Sequence, residues 1–334
     1  MSKKIRWGVL STASIGVRKV LPAMQKSEYS SVVAIASRNL AKARETAAKL
    51  GIPTAYGSYE ELIADPRVDA IYNPLPNQFH VPWTIKAAEA GKHVLCEKPI
   101  SLTVAEAESL LRVRERTSVK IGEAFMIRSH PQWLRTKALI DAGRIGQLRC
   151  VMGCFSYFNI DPANIRNKVE SGGGALYDIG CYCIQASRYA FGAEPARVVG
   201  CVDRDPTMHI DRLTSAILEF QSGQAIFTCS TQLVPYQRVQ FLGTKGRIEI
   251  EIPFNAPNDR STRIVIDDGD LFGADRVAEE FPICDQYTLQ GDQFSRAILE
   301  DTEVPVPLEE AIRNMRVIEA IFRSADSGLW ETIA

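Results

Sequence analysis

Short apolar runs recur through the first third of the chain, each followed by a longer stretch whose apolar residues return every three or four positions. Residues 5–10 (IRWGVL), 32–37 (VVAIAS), 54–56, 68–73, 93–96 and 119–125 read as buried strands. Helical patterns lie between them. One runs to Met24, one opens at Asn39 and stops at Gly51, and one follows the capping box Ser58-Tyr59-Glu60-Glu61. Residues 81–90 form the next, and Thr103-Val104-Ala105-Glu106 caps another. Strands alternating with helices of this length predict a parallel sheet covered on both faces. Right-handed crossovers then give an α/β, doubly wound Rossmann domain, assigned to residues 1–127.

The pattern changes after Met126. A helix over 131–142 leads to a strand over 148–158, and strand candidates follow near 196–204, 211–220, 224–232, 236–243 and 246–252. Turn signals such as Gln221-Ser222-Gly223 and Gly243-Thr244-Lys245-Gly246 separate consecutive strands without helices, which predicts a large, mostly antiparallel open sheet. Helices near 285–300 and 308–326 complete an α+β domain over 128–334, the expected substrate-binding and oligomerisation unit. Residues 253–280, rich in Asp, Asn and Gly, read as one strand edged by mobile loops. The alternation of Ala216, Leu218 and Phe220 suggests a sheet-to-sheet contact in a homodimer or homotetramer.

Composition narrows the class. A chain of 334 residues is long for one domain, and 46% hydrophobic residues suffice for two cores. The net charge of −1 argues against nucleic acid or an anionic membrane surface as partner. No apolar run approaches a membrane span, and Met1-Ser2-Lys3-Lys4 leads into a strand rather than a signal peptide. The eight cysteines include no C-x-x-C pair, and the one-residue gap between Cys181 and Cys183 has no metal-finger meaning. Cys96, Cys201 and Cys229 lie in strand-like runs and read as small buried hydrophobes. The expectation is a reduced cytoplasmic protein with no metal.

Candidate chemistry clusters at strand exits. Ser11-Thr12-Ala13-Ser14-Ile15-Gly16 follows the first strand, where a dinucleotide loop carries three glycines; Ser11 and Ala13 replace two of them with residues nearly as small. Ser11, Thr12, Ala13, Ser14 and Ile15 are therefore placed against a cofactor pyrophosphate. Ser37 and Arg38 stand where NAD sites put a carboxylate; a hydroxyl and a guanidinium suit a 2′-phosphate, which favours NADP over NAD. Leu75, Pro76, Asn77 and His80 form a proline-stiffened loop where a nicotinamide ribose would lie, with His80 balanced between a cofactor-edge and a structural role. Glu97-Lys98-Pro99 holds a charged pair at the exit of a buried strand. Arg128 is the best polar group on the linker between the domains, and His130 reads as a helix N-cap. Farther on, Gly172-Gly173-Gly174 allows close backbone approach, and Asp178 and Tyr182 stand four apart, on one face if the segment is helical.

Glu97-Lys98-Pro99, the Pro76-Asn77-x-x-His80 loop and Gly172-Gly173-Gly174-x-x-x-Asp178-x-Gly180 together resemble the Gfo/Idh/MocA oxidoreductase family over nearly the whole chain. Many family members carry a histidine four residues after the aspartate. Tyr182 there, with Asp161 to Arg166 before the glycines, is similar to the glucose–fructose oxidoreductase, dimeric dihydrodiol dehydrogenase and D-xylose dehydrogenase branch. The resemblance implies hydride transfer between NADP and a hydroxyl-bearing carbon of a sugar (aldose to lactone) or diol. It implies Lys98 and Tyr182 as the acid–base pair, Asp178 as the orienting group, Glu97 on the cofactor side and Arg166 near the cofactor or cleft mouth. A nearby ammonium lowers a tyrosine pKa from its ordinary value near 10, which suits that pairing. Substrate specificity is expected around Phe155, Tyr157, Asn159 and Tyr236. The competing expectation is a non-catalytic NADP-binding sensor that keeps the nucleotide domain alone.

Overall fold

A computed structural model describes residues 3–333; Met1 and Ser2, the start of the stretch read against a signal peptide, and Ala334 lie outside the described residues. The chain divides into two compact units, residues 1–129 with 285–312, and residues 130–284 with 313–334.

The first unit alternates β1 (Ile5–Leu10), α1 (Leu21–Met24), β2 (Ser30–Ala36), α2 (Leu40–Leu50), β3 (Thr54–Tyr56), α3 (Tyr59–Ala64), β4 (Ala70–Asn73), α4 (His80–Glu89), β5 (His93–Cys96), α5 (Val104–Thr117) and β6 (Ile121–Glu123). Its six strands are all parallel, in the order β3-β2-β1-β4-β5-β6. That is the doubly wound order, whose direction reverses beside β1; ligands of such sheets gather at the carboxyl ends of the strands there. The helix starts follow the sequence. Asn39, Ser58 and Thr103 each accept a backbone N–H three residues on, closing α2, α3 and α5 at their N-termini. The core packs both sheet faces, with Trp7 fully buried against Phe294 and its indole N–H donating to Ser295 Oγ at 3.0 Å.

The second unit opens with α6 (Pro131–Asp141), β7 (Leu148–Phe158) and α7 (Cys181–Phe191). A run of strands follows: β8 (Arg197–Arg204), β9 (Asp211–Phe220), β10 (Gly223–Ser230), β11 (Gln232–Gly243), β12 (Arg247–Ile250), β13 (Thr262–Asp267) and β14 (Val277–Phe281). With β15 (Glu331–Thr332) they form a nine-stranded sheet ordered β14-β13-β12-β11-β7-β10-β9-β8-β15. Pairing is antiparallel except between β7 and β10, which run parallel because the α7 crossover separates them in sequence. Trp133 from α6 and Phe155 from β7 pack on Phe254, and Tyr182 closes the same aromatic cluster.

α8 (Gln286–Leu299) groups with the first unit, and α9 (Leu308–Ser327) runs through the division at 312/313. Two sequence readings change. The 253–280 segment holds two strands, β13 and β14, rather than one; four acidic residues across 267–275 and the fully exposed Leu271-Phe272 mask the hairpin pattern. Cys201 is exposed, because β8 turns that side of its alternation outward, whereas Cys96 and Cys229 are buried as expected.

Candidate active site

In the first unit the loop after β1 keeps the shape of a glycine loop without two of its glycines. Ser11 adopts φ 76°, the left-handed conformation that usually calls for glycine, and its Oγ accepts the Ala13 N–H at 3.2 Å. The chain then enters a π-helical turn, Gly16–Val20, before α1; such turns recur at functional sites. Thr12, Ala13 and Ile15 are half-buried and Ser14 is exposed, so the first-turn backbone remains within reach of a ligand. At the end of β2, Ser37 is buried and its Oγ accepts the Asn39 N–H, while Arg38 is exposed and its guanidinium reaches the Tyr59 hydroxyl. These residues fit a dinucleotide: a left-handed turn of small side chains at the pyrophosphate position and a cation at the ribose position.

The ends of β4 and β5 are tied together. Tyr72 donates to Glu97 Oε1 at 2.6 Å, and Tyr287 from α8 feels the same carboxylate, its pKa pushed above the ordinary range by burial and then by Glu97. Lys98 is half-buried, and the Lys98–Pro99 peptide is cis. Glu123 at the end of β6 accepts the Ile100 N–H at 2.8 Å, which fixes the chain just past the proline. His80 is fully buried, with Nδ1 2.7 Å from the Pro99 carbonyl and Nε2 2.7 Å from the Leu75 carbonyl. Burial lowers its pKa to about 4 against the pull of both carbonyls, and the Lys98 ammonium lowers it further. A neutral ring has one N–H for two acceptors, so packing holds it as much as hydrogen bonding. His80 thus braces the Leu75 and Pro99 loops, the structural one of the two roles read for it. Pro76 and Asn77 lie half-buried on the rim of that loop, and Leu75 beneath it is buried. Arg128 sits 3.9 Å from Glu310 within the same unit.

The second unit carries the other cluster. Asp178 lies in a second π-helical turn, Leu176–Gly180, that runs into α7; Tyr182 stands one turn later, 5% exposed. Tyr157 on β7 donates to Asp178 Oδ2 at 2.6 Å, and Arg166 Nε donates to the same oxygen at 2.9 Å. Arg166 is therefore an ion-pair partner of Asp178, a role the sequence did not assign. Burial, reinforced by the Asp178 charge, pushes the Tyr157 pKa well above its ordinary value, so this phenol stays a donor. Tyr182 packs edge-on to Phe155 at 5.8 Å and against Phe254 at 5.4 Å. Beside this cluster a cavity of about 630 Å³ is lined by Phe155, Tyr157, Tyr236, Gln237, Glu251 and Asn255, among others. Three of the four expected specificity residues line it; Asn159 instead binds Asn167 through its carbonyl and side chain. His130 caps α6 by accepting the Gln132 N–H, as read from the sequence.

The triple glycine has a steric cause. A Cβ on Gly173 would fall 2.5 Å from the Arg166 carbonyl oxygen, and one on Gly174, at φ 114°, would fall 1.8 Å from Asp211 Oδ1. The turn thus packs the Arg166 loop on one side and a buried carboxylate on the other. Asp211 was not singled out from the sequence, because its strand also carries Arg212, Thr214, Ser215 and Glu219 and the carboxylate does not stand out. Among the described residues no group of three or more His, Cys, Asp or Glu could hold a metal ion, and no helix is long and apolar enough to cross a membrane.

Residues 5–125 match the oxidoreductase family with an NAD-binding Rossmann fold, and residues 133–249 match the GFO/IDH/MocA C-terminal domain. An uncharacterized oxidoreductase of Rhizobium meliloti is 48% identical over 98% of this chain and 99% of its own. An NADP-dependent D-xylose 1-dehydrogenase of Haloferax volcanii is 40% identical over 96% and 98%. An NADP complex of a 3-ketoreductase from Actinomadura kijaniata superimposes with TM-score 0.88 at 30% identity, covering 96% of this chain and 98% of that one. Matching dinucleotide and sheet domains with these relatives define an NAD(P)-dependent oxidoreductase. The chain belongs to the Gfo/Idh/MocA family.

Proposed function

We propose that this enzyme transfers hydride between NADP and a hydroxyl-bearing carbon of a sugar, oxidising an aldose at its anomeric carbon to the lactone, with a diol as the other substrate class. The observation that carries the reading is the Asp178–Tyr182 pair on one helical face, its carboxylate fixed by two donors, beside a cavity with aromatic walls and amide and carboxylate edges. Aromatic faces and paired donors and acceptors are the chemistry that holds a sugar ring. Family kinship and the D-xylose dehydrogenase relative make xylose and glucose the first substrates to try.

NADP, when bound, supplies the hydride acceptor in oxidation and the donor in reduction. Tyr182 takes the substrate hydroxyl proton as the C–H bond breaks and returns it to the alkoxide in the reverse direction. Lys98 is assigned with Tyr182 to the acid–base pair that the family resemblance implies, and Asp178 orients the substrate hydroxyls. Ser11, Thr12, Ala13, Ser14 and Ile15 cradle the pyrophosphate; Pro76, Asn77 and Glu97 meet the nicotinamide half; Arg38, over Ser37, pairs with the 2′-phosphate. Arg128 is assigned to the cofactor edge. Arg166 acts through Asp178.

The test is turnover of an aldose and diol panel with NADP and with NAD, followed by absorbance of the reduced cofactor. NADP-dependent oxidation of at least one aldose is expected, and failure with every polyol would sink the reading. Arg38→Ala should raise KM for NADP about 10- to 100-fold and leave that for NAD nearly unchanged. A second copy of the chain is assigned to the outer sheet face, where a groove of about 660 Å³ is lined by Met152, Ile217, Ile226 and Tyr236. Ala216, Leu218 and Phe220, the alternation first read for this contact, are buried within the chain itself, so the opposite face is the one offered; Ile217 and Ile226 are cross-strand partners there, and the patch suits a two-fold contact. Sedimentation of the wild type and of Ile226→Glu tests it: dimer or larger for the first, monomer for the second.

A further inference from the structure

The segment that carries Asp178 and Tyr182 is anchored by a buried carboxylate from a neighbouring strand. Asp211, 2% exposed at the start of β9, accepts the Leu176 N–H through Oδ2 at 2.7 Å and the Thr214 hydroxyl on the same oxygen at 2.9 Å. Its Oδ1 fills the space that a Gly174 side chain would need. Leu176 opens the π-helical turn, and the Asp178 N–H donates to the Gly174 carbonyl at 3.1 Å, so both residues that flank the anchor lead directly to Asp178. The unpaired N–H groups that open a helix carry partial positive charge, so an anion there is held more firmly than a neutral acceptor.

We propose that Asp211 is a positioning residue for the reaction: its ionised carboxylate sets the pitch of the turn from Gly174 to Gly180 and so the placement of Asp178 and Tyr182. The inference rests on the assignment of those two residues as acting on substrate. Burial is the main cause that raises the Asp211 pKa to about 6, with the Leu176 N–H and Thr214 lowering it and Arg204 lowering it slightly. Tyr157 and Cys229 are the other ionisable groups that feel its charge. Above pH 6 the anchor is an anion; as pH falls through about 6 it takes up a proton, and the turn is then held by a neutral carboxyl of different hydrogen-bond geometry.

Three readouts decide the matter. In Asp211→Asn, kcat should fall about 10- to 100-fold with KM for NADP unchanged, since displacement of a reacting group by an ångström costs that much. The wild type should show an acid limb in kcat near pH 6 that Asp211→Asn lacks. Thr214→Val removes one donor to the anion, so it should keep the limb and move it to higher pH. Amide exchange in peptides covering 174–182 should slow in the wild type between pH 7 and pH 5, after correction for the intrinsic rate, because proton uptake by Asp211 favours the folded turn, and this needs no variant. Wild-type kcat in Asp211→Asn, a slow variant that keeps the limb, or unchanged exchange would each overturn the proposal. Tyr182→Phe separates the underlying assumption: full turnover there removes the assigned chemistry, while the exchange measurement still reports on the anchor itself.

Discussion

Each unit holds one of the two side chains proposed for proton transfer, and holds it by different means. Around Lys98 the constraint is local and acts on the backbone: the buried His80 ring between two carbonyls and the Glu123 carboxylate on the Ile100 N–H fix the chain beside the lysine. Around Tyr182 the constraint is ionic: Asp178 receives a phenol and a guanidinium, and the turn beneath it is held by the buried Asp211. A flexible ammonium on a four-carbon stem needs only a firm base, because its charge acts over several ångströms. A phenol that must accept a proton along one line needs its helix set in pitch and rotation, and charge-assisted hydrogen bonds are about twice as strong as neutral ones. The comparison can be broken at four levels.

The largest effects should come from the proton-transfer groups themselves. Lys98→Met and Tyr182→Phe should each lower kcat about 10²- to 10⁴-fold while NADP binding persists, as read by steady-state rates and by fluorescence titration of the reduced cofactor. Near-normal rates in either would show that the two clusters do not share the chemistry.

Next in size is the steric seat of the anchor. Gly174→Ala adds a Cβ that would lie 1.8 Å from Asp211 Oδ1, at a backbone angle that L-residues rarely adopt. A cost of about 3 kcal/mol or more is expected, read as a fall in the urea midpoint. Gly51→Ala is the control: its φ is also positive, but nothing lies within 4 Å of the added carbon, so only backbone strain of about 1 kcal/mol should appear.

The two regions should also respond to acid with opposite signs. His80 has a folded pKa of about 4, below its ordinary 6.5, so its contribution to stability is present above pH 6.5 and is lost as pH falls through 4. Asp211 has a folded pKa of about 6, above its ordinary 3.8; its contribution favours folding below 3.8 and is lost as pH rises through 6. The stability gap between wild type and His80→Gln should therefore widen from pH 4 to pH 6.5, and that between wild type and Asp211→Asn should narrow over the same range. Urea denaturation at three pH values measures both gaps, and parallel trends would refute the contrast.

How far the sequence revealed this arrangement differs between the regions for the same physical reason. The first unit was legible almost strand for strand, because buried parallel strands and capped helices write local patterns, and Asn39, Ser58 and Thr103 cap where those patterns say. Glu97, Lys98, Asp178 and Tyr182 could be picked out because they lie in short motifs. The supports could not. Asp211 is 33 residues beyond Asp178, Tyr157 is 21 before it, and no spacing rule joins residues on β7, β9 and α7. Arg166 was placed near the cofactor or the cleft mouth by family resemblance; its partner here is a carboxylate 12 residues further along the chain. His80 was balanced between two roles because only burial distinguishes a brace from a ligand. The second strand hidden in 253–280 shows the same limit: charge on an exposed hairpin overrides the period-two signal.

The smallest effect sharpens the comparison most. Tyr157→Phe removes one of two donors to Asp178 and leaves Arg166 in place, so the ion pair still holds the carboxylate. The loss of a hydrogen bond to a charged group costs about 1.5–3 kcal/mol when nothing replaces it, but the cavity beside Tyr157 lets water reach the freed oxygen and lowers that figure. A three- to tenfold fall in kcat/KM for an aldose is expected, with the NADP terms unchanged. Arg166→Met should act on the same oxygen and, combined with Tyr157→Phe, lose more than the sum of the two, because both of these donors to Asp178 Oδ2 are then gone. Additive losses in that double-mutant cycle would mean that the two donors act independently, and the ionic account of how Asp178 is held would give way to one of simple packing.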